Sequence, residues 1–337
     1  MDPAYPLVPV ANVLAAVLVL LSLITAGLRQ AWNAGVVVLA LWTFLGAIRA
    51  SVDAVIWRDN FNNVTPVWCD ISSHMSIALS IAIPACSFVI TRRLHKIISL
   101  RGVDLRSQRA GDIMPYDLSI CIGLPLVITG VYYVVQSARF QIFEEVGCQS
   151  ALSATGLTIL ISSWTFILPV ASIVFFWSRL VIVLYRHYKE LNQFTSSEIT
   201  LTRSRYLRVF AIGSLDILFS LPIGISTISQ ASVQGRSAPF WPGFDVVHRD
   251  FTPVLLPAEI WKEKTVTRLS VRASQYVNVV SGVLIFVLFG LSGESRELYR
   301  RAFWRMARVV GWAPRDNDAA LEPRMTFLSI EIDIETR

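Results

Sequence analysis

The sequence is short of charge. Only 16% of its 337 residues are Asp, Glu, Lys or Arg, against 54% apolar, where a soluble domain carries about 25% charged residues. A soluble globular protein is excluded. Lysine is scarcer still: Lys96, Lys189, Lys262 and Lys264 all lie outside the long apolar runs. No intramembrane lysine is left to hold a retinal Schiff base, which excludes a light-driven pump. The histidines, His74, His95, His187 and His248, contain no pair at metal-ligand spacing, and neither His-Glu-x-x-His nor Gly-x-Ser-x-Gly occurs. An intramembrane enzyme has no catalytic set, and no cofactor is called for. Similarity between the first and last three runs, common in transporters, is missing too. The net charge of +6 sits in the gaps between apolar runs and forms no continuous arm, so membrane topology accounts for it and nucleic acid does not.

What is present is a set of seven apolar runs, at about 7–28, 35–57, 68–91, 116–136, 157–185, 207–230 and 274–292. Crossing roughly 30 Å of hydrocarbon takes about 20 residues of helix. The expected fold is therefore an all-α membrane protein, a seven-transmembrane helix bundle over 1–292. Met1 to Pro6 carries no Lys or Arg, so the first run is expected to stay as a helix and not to be cleaved as a signal peptide. From Glu294 to Val310, Leu298, Ala302, Phe303, Met306 and Val309 recur at helical spacing, with Arg296, Arg300, Arg301, Arg305 and Arg308 on the other side. This predicts a short amphipathic helix over 293–312 lying on anionic membrane lipids. The tail, 313–337, is expected to be disordered.

Lys and Arg in short loops are retained on the cytoplasmic side. The segment Arg92 to Met114 holds six (Arg92, Arg93, Lys96, Arg101, Arg106, Arg109) and Tyr185 to Arg208 holds five (Arg186, Lys189, Arg203, Arg205, Arg208), while the alternate loops hold one each, Arg58 and Arg139. The amino terminus is therefore expected outside and the carboxyl terminus in the cytoplasm. Asn63-Val64-Thr65, a glycosylation sequon at Asn63, falls in a loop that this places outside.

The four cysteines allow three complete pairings. Cys69 opens the third run at its outer end and Cys148 closes the loop before the fifth, both on the oxidising side. Cys86 lies 17 residues beyond Cys69, about 25 Å deeper along a helix. The expected disulfide is Cys69–Cys148, with Cys86 and Cys121 as packing residues.

Ionisable groups inside a span usually face the bundle interior. Arg49 and Asp53 are four apart and share a helix face, which allows either mutual neutralisation or a polar contact to ligand or a neighbouring helix. Asp216, six residues before Pro222, has no local partner and is a candidate switching contact or a packing residue. His74 reads as a hydrogen-bonded core residue. Pro84, Pro125, Pro169 and Pro222 interrupt the third to sixth runs and permit kinks.

Several stretches resemble the fungal Ste3-type pheromone receptors. They are Ile83-Pro84-Ala85 followed by Arg92-Arg93-Leu94, the loop Tyr133-Val134-Val135-Gln136 with Arg139-Phe140 and Glu144-Glu145-Val146-Gly147-Cys148, Ser163-Trp164-Thr165, Arg205-Tyr206-Leu207-Arg208, and Trp241 through His248 before Trp261. The likeness covers roughly residues 5–310. Ser137-Ala138 departs from the family's more frequent Gly-His. The resemblance implies a plasma-membrane G-protein-coupled receptor for a farnesylated peptide pheromone with a methylated carboxyl terminus, signalling in mating through the alpha subunit of a heterotrimeric G protein. It points to Arg139, Phe140, Glu144, Glu145, Phe240, Trp241, Asp245 and His248 as ligand contacts, and to Arg92, Arg93, Arg203, Arg205 and Arg208 as the G-protein coupling surface. The rival is a seven-span transporter or channel, which should show a polar path through the bilayer.

Overall fold

The computed structural model describes residues 5–28, 34–99, 115–177, 182, 211, 221–222, 224–225, 239–263, 265–291 and 293–309. Among them, six helices are long and apolar enough to cross a membrane. They are α1 (Leu7–Leu28), α2 (Ala34–Ile56), α3 (Pro66–Ser99), α4 (Pro115–Val135), α5 (Gly156–Trp177) and, after the short helices α6 (Phe244–Val247) and α7 (Ala258–Glu263), α8 (Thr265–Ile285). Most of the sixth apolar run, with Asp216, lies outside the described residues. So do Arg203, Arg205 and Arg208.

The chain is built with its polar groups turned inward. On α1, Leu7, Val10, Val13, Leu14 and Val17 are exposed while Asn12, Ser22 and Thr25 are buried, the reverse of a soluble helix. Hydrocarbon offers no hydrogen bonds, so these groups find partners inside: the Asn12 amide donates to the Gln275 carbonyl of α8 at 3.2 Å, and Ser22 donates to the Leu18 carbonyl at 3.0 Å. Helix α1 packs on α2 and α8, and α3 touches α2, α4 and α5. One core joins Val19, Leu39, Val89, Ile90, Cys121 and Ile285; a second joins Ile81, Ala85, Ile128, Tyr132, Ile161 and Leu168.

Proline leaves marks on this frame. Pro125 follows a π turn at Ser119–Gly123 in α4, and Pro169 precedes one at Ile173–Trp177 in α5. A proline lacks the N–H that would hold the preceding turn, and the helix widens nearby. A third π turn, Phe286–Gly290, ends α8. That helix begins at Thr265, earlier than the apolar run at 274, because its first turns carry Arg268 and Arg272.

One end of the bundle carries a cap that the all-α expectation omits. Strands β1 (Gln141–Phe143), β2 (Gly147–Gln149) and β3 (Val254–Leu256) form a small sheet in which β1 pairs antiparallel with β2 and parallel with β3. After it, Thr155 caps α5 by accepting from the Thr158 N–H at 3.3 Å, which satisfies a donor the helix itself leaves free.

A separate compact unit follows Leu291. It contains α9 (Gly293–Val309), along which Arg300 and Arg301 pair with Glu297 at 3.4 and 3.3 Å.

Candidate functional site: a capped cavity among the helices

The cap is fixed to the bundle by covalent and polar links together. Cys69, in the first turn of α3, is bonded to Cys148 of β2 with their Cα atoms 5.2 Å apart. Around the bond, Trp57, Phe140 and Ile142 are fully buried. Beside it, Asp53 of α2 accepts from Trp68 Nε1 at 2.7 Å and from Ser72 Oγ at 2.8 Å. Arg49 lies 3.3 Å from the same carboxylate and donates to Ser72 Oγ at 3.0 Å and to the Cys148 carbonyl at 3.1 Å. Three elements thus meet on one neutral ion pair. The approach is close enough to require Gly147, whose φ is +100° and where an added Cβ would collide with the Asp53 side chain.

The loop residues expected at the ligand are bonded within the protein. Phe140 is enclosed in the cap core. Glu144 accepts from the Ala258 N–H through Oε2 at 2.7 Å and from Trp261 Nε1 through its carbonyl at 3.2 Å, which holds α7 against the sheet. The buried Glu145 meets Lys262 and, at 3.1 Å, Arg272 of α8, while its carbonyl accepts from Gln275 at 3.2 Å. Arg139 grips Asp70 with two hydrogen bonds, 2.9 and 2.6 Å long. Those bonds and the charge of Asp70 hold the guanidinium above its ordinary pKa. Tyr132, which the sequence did not single out, closes the loop by donating to the Ala151 carbonyl at 3.1 Å and accepting from its N–H at 2.9 Å.

Of the second group, Trp241 packs on the core of Ile81, Tyr132 and Ile161. Phe240 is exposed, and Asp245 stands in the first turn of α6, also exposed. The His248 ring stacks on Phe244 with centroids 3.8 Å apart, and its two nitrogens lie 3.0 Å from the carbonyls of Phe244 and Tyr133. His74 lies 2.8 Å from the Asp70 carbonyl of its own helix, and its ring meets that of Tyr132 of α4 edge-on with centroids 5.5 Å apart. Asn63 is exposed in the loop before α3.

Beneath the cap is a cavity of about 300 Å³ between α2, α3, α5, α8 and Gly224 of the sixth run. Its lining mixes polar groups, Arg49, Ser76, Ser80, Gln149, Ser162, Thr165, Ser274 and Asn278, with the apolar Ile77, Ile81, Ile83, Pro84 and Ile161. Leu152 also lines it, so the loop that carries the disulfide is its roof.

At the far end of α3, Arg92 and Arg93 both pair with Asp117 of α4, the second at 2.6 Å. Asp117 is wholly buried, and Arg92 also lies over the Tyr116 ring at 4.2 Å. The sequence pointed to the two arginines and missed the acid, which stands alone at the start of an apolar run; its signal was being the first charge after a basic segment.

These features define a multi-pass helical membrane protein with an amphiphilic cavity roofed by a disulfide-tied cap. Residues 7–309 match the family described as Pheromone A receptor (STE3), and the chain belongs to that family. It is 32% identical to the Pheromone B alpha 3 receptor of Schizophyllum commune over 94% of this chain and 50% of that protein. It is 29% identical to Pheromone receptor 1 of Ustilago hordei over 80% of this chain and 76% of the relative. With the Pheromone M-factor receptor of Schizosaccharomyces pombe the identity is 26% over 88% and 78%. The chain spans about half the length of the Schizophyllum receptors it matches, at 50%, 45% and 48% of each.

Proposed function

We propose that the chain is a G-protein-coupled receptor for a farnesylated peptide mating pheromone, set in the plasma membrane with its disulfide end outside and its carboxyl terminus in the cytoplasm. The observation that carries this reading is the roofed cavity in a member of the pheromone A receptor family. A pheromone arriving from outside meets an aromatic rim of the exposed Phe240 and Phe244 and the half-buried His248 first and the cavity next. Glu144 and Glu145 act on it by holding the cap in shape, and the exposed Arg139 belongs to the rim. The disulfide supports the outside assignment, because such bonds persist on the oxidising side.

The opposite end serves output. Arg92, Arg93, Arg203, Arg205 and Arg208 present a basic surface to the alpha subunit, and α9 rests on the inner leaflet through its arginines. No bond is made or broken. The test is expression in yeast lacking its own receptor, with a G-protein-dependent reporter and a panel of farnesylated, methyl-esterified peptides. A response to at least one, with none to the unfarnesylated peptide, supports the reading; equal potency without the lipid overturns it. Changing Arg205 and Arg208 to Gln should lower output at unchanged surface amount.

A further inference from the structure

Helix α2 carries Trp42, Gly46, Arg49 and Asp53 at intervals of four, three and four residues, so they share one stripe of the helix. At the capped end, Arg49 and Asp53 hold Ser72 of α3 and the Cys148 carbonyl. One turn further, Gly46 lets Asn278 of α8 come so near that an added Cβ would strike its side chain. Trp42 lies eleven residues from Asp53, roughly 16 Å along the axis. Its ring packs on the core that contains Leu39, Val89, Ile90 and Cys121, and its indole N–H donates to the Cys121 carbonyl of α4 at 3.0 Å.

That carbonyl is one its own helix does not serve. In a regular α-helix it would accept from the N–H four residues on, and that residue is Pro125, which has none. The π turn Ser119–Gly123 falls at the same place, where the Leu124 N–H reaches back to the Ser119 carbonyl. An acceptor left without a donor inside a membrane bundle is costly, and Trp42 supplies the donor from a neighbouring helix. The turn divides α4. Toward the cap, Ile128 and Tyr132 belong to the core of Ile81 and Ile161. On the other side, four residues before Cys121, Asp117 holds Arg92 and Arg93.

We propose that Trp42 is a positioning residue: its indole stands in for the N–H that Pro125 lacks, fixes the bend of α4, and so aims Asp117 at the two arginines. Resting on the receptor reading, this makes the Trp42 bond the tie between the anchored mouth and the contact at the far end. Without the bond, the Cys121 carbonyl has no donor, the π turn is free to change register, and Asp117 is less firmly placed.

The experiment uses the full chain in nanodiscs and three variants, Trp42→Phe, Pro125→Ala and the two together. The first keeps an aromatic ring and removes the N–H; the second gives the Cys121 carbonyl a donor from its own helix. One readout is the alkylation rate of the free, buried Cys121 thiol, followed on its own peptide by mass spectrometry. The other is nucleotide exchange on the G protein without ligand. Trp42→Phe should speed alkylation about tenfold, the opening expected when a buried acceptor loses its donor, and should raise exchange severalfold. Adding Pro125→Ala should cancel most of both effects. Packing lost with a smaller ring would not be restored from another helix, so this rescue separates the N–H from the bulk of the side chain. Should Trp42→Phe alone reach the surface poorly, the double variant should recover its amount, and absence of that recovery overturns the assignment. Unchanged alkylation in Trp42→Phe, or an effect of the same size whether or not Pro125 is replaced, overturns it as well. Faster alkylation with unchanged exchange, in a chain that a lipopeptide still activates, overturns the positioning role. If alkylation and rescue behave as expected while no lipopeptide and no variant drives exchange, the joint at Trp42 stands and the receptor reading falls.

Discussion

Two buried aspartates on either side of α3 are handled differently. Asp53 meets Trp68, Ser72 and Arg49 next to the Cys69–Cys148 bond; Asp117 meets Arg92 and Arg93. Their partners Ser72 and Arg92 are 20 residues apart on one helix, or roughly 30 Å. At the first site charge is balanced, Trp68 and Ser72 add neutral hydrogen bonds, and a covalent link holds the elements together. At the second, two cations share one acid, and both are long side chains that can carry their charge out to an aqueous interface. On the proposed receptor reading, the first site fixes the mouth and the second is a contact that can be exchanged at the far end.

The comparison is broken most severely by Asp53→Ala. It leaves Arg49 buried without its counter-charge, a loss of about 3–5 kcal/mol, so amount at the cell surface and melting temperature in detergent should both collapse. A surface amount near that of the unaltered chain would show that the site is no anchor. Next come Cys69→Ser and Cys148→Ser. A closed loop of this length contributes about 4 kcal/mol at most, less in a chain the membrane already restrains. Each serine variant should lose surface amount to the same degree and the double variant no further; additive losses would mean the two cysteines act separately.

How much of this could be read beforehand follows from the reach of each signal. The apolar runs that became α1 to α5 were visible because a span needs a long stretch of one composition. The cysteine pair was visible because only two of the four thiols were expected outside, at the ends of their runs. The start of α8 was hidden by Arg272, which looks like a loop residue until Glu145 appears beside it. The sheet was hidden because each strand is three residues long, too short for alternation to register. Glu144 and Glu145 were expected as ligand contacts from the resemblance of their loop, but their partners within the protein, Ala258, Trp261, Lys262 and Arg272, are more than a hundred residues away, and pairing at that range is not written in local pattern.

The smallest effect is expected at Arg139, whose pair with Asp70 is part-exposed on both sides. Exposed pairs are screened and contribute little, so Arg139→Gln should leave surface amount unchanged when scored beside Asp53→Ala. A loss comparable to that of Asp53→Ala would mean the cap depends on its rim as much as on its buried pair.

The division between a fixed mouth and an exchangeable far end is tested most directly by Asp117→Asn. Membranes carrying the unaltered chain or the variant, at matched receptor amount, are assayed for nucleotide exchange on the G protein without ligand, and for affinity toward an activating lipopeptide. Freeing Arg92 and Arg93 should raise exchange severalfold. Because coupling between two sites is reciprocal, affinity for the lipopeptide should rise with it. Unchanged exchange together with unchanged or weakened lipopeptide binding would contradict the account, and would make the Asp117 site a structural anchor like that of Asp53.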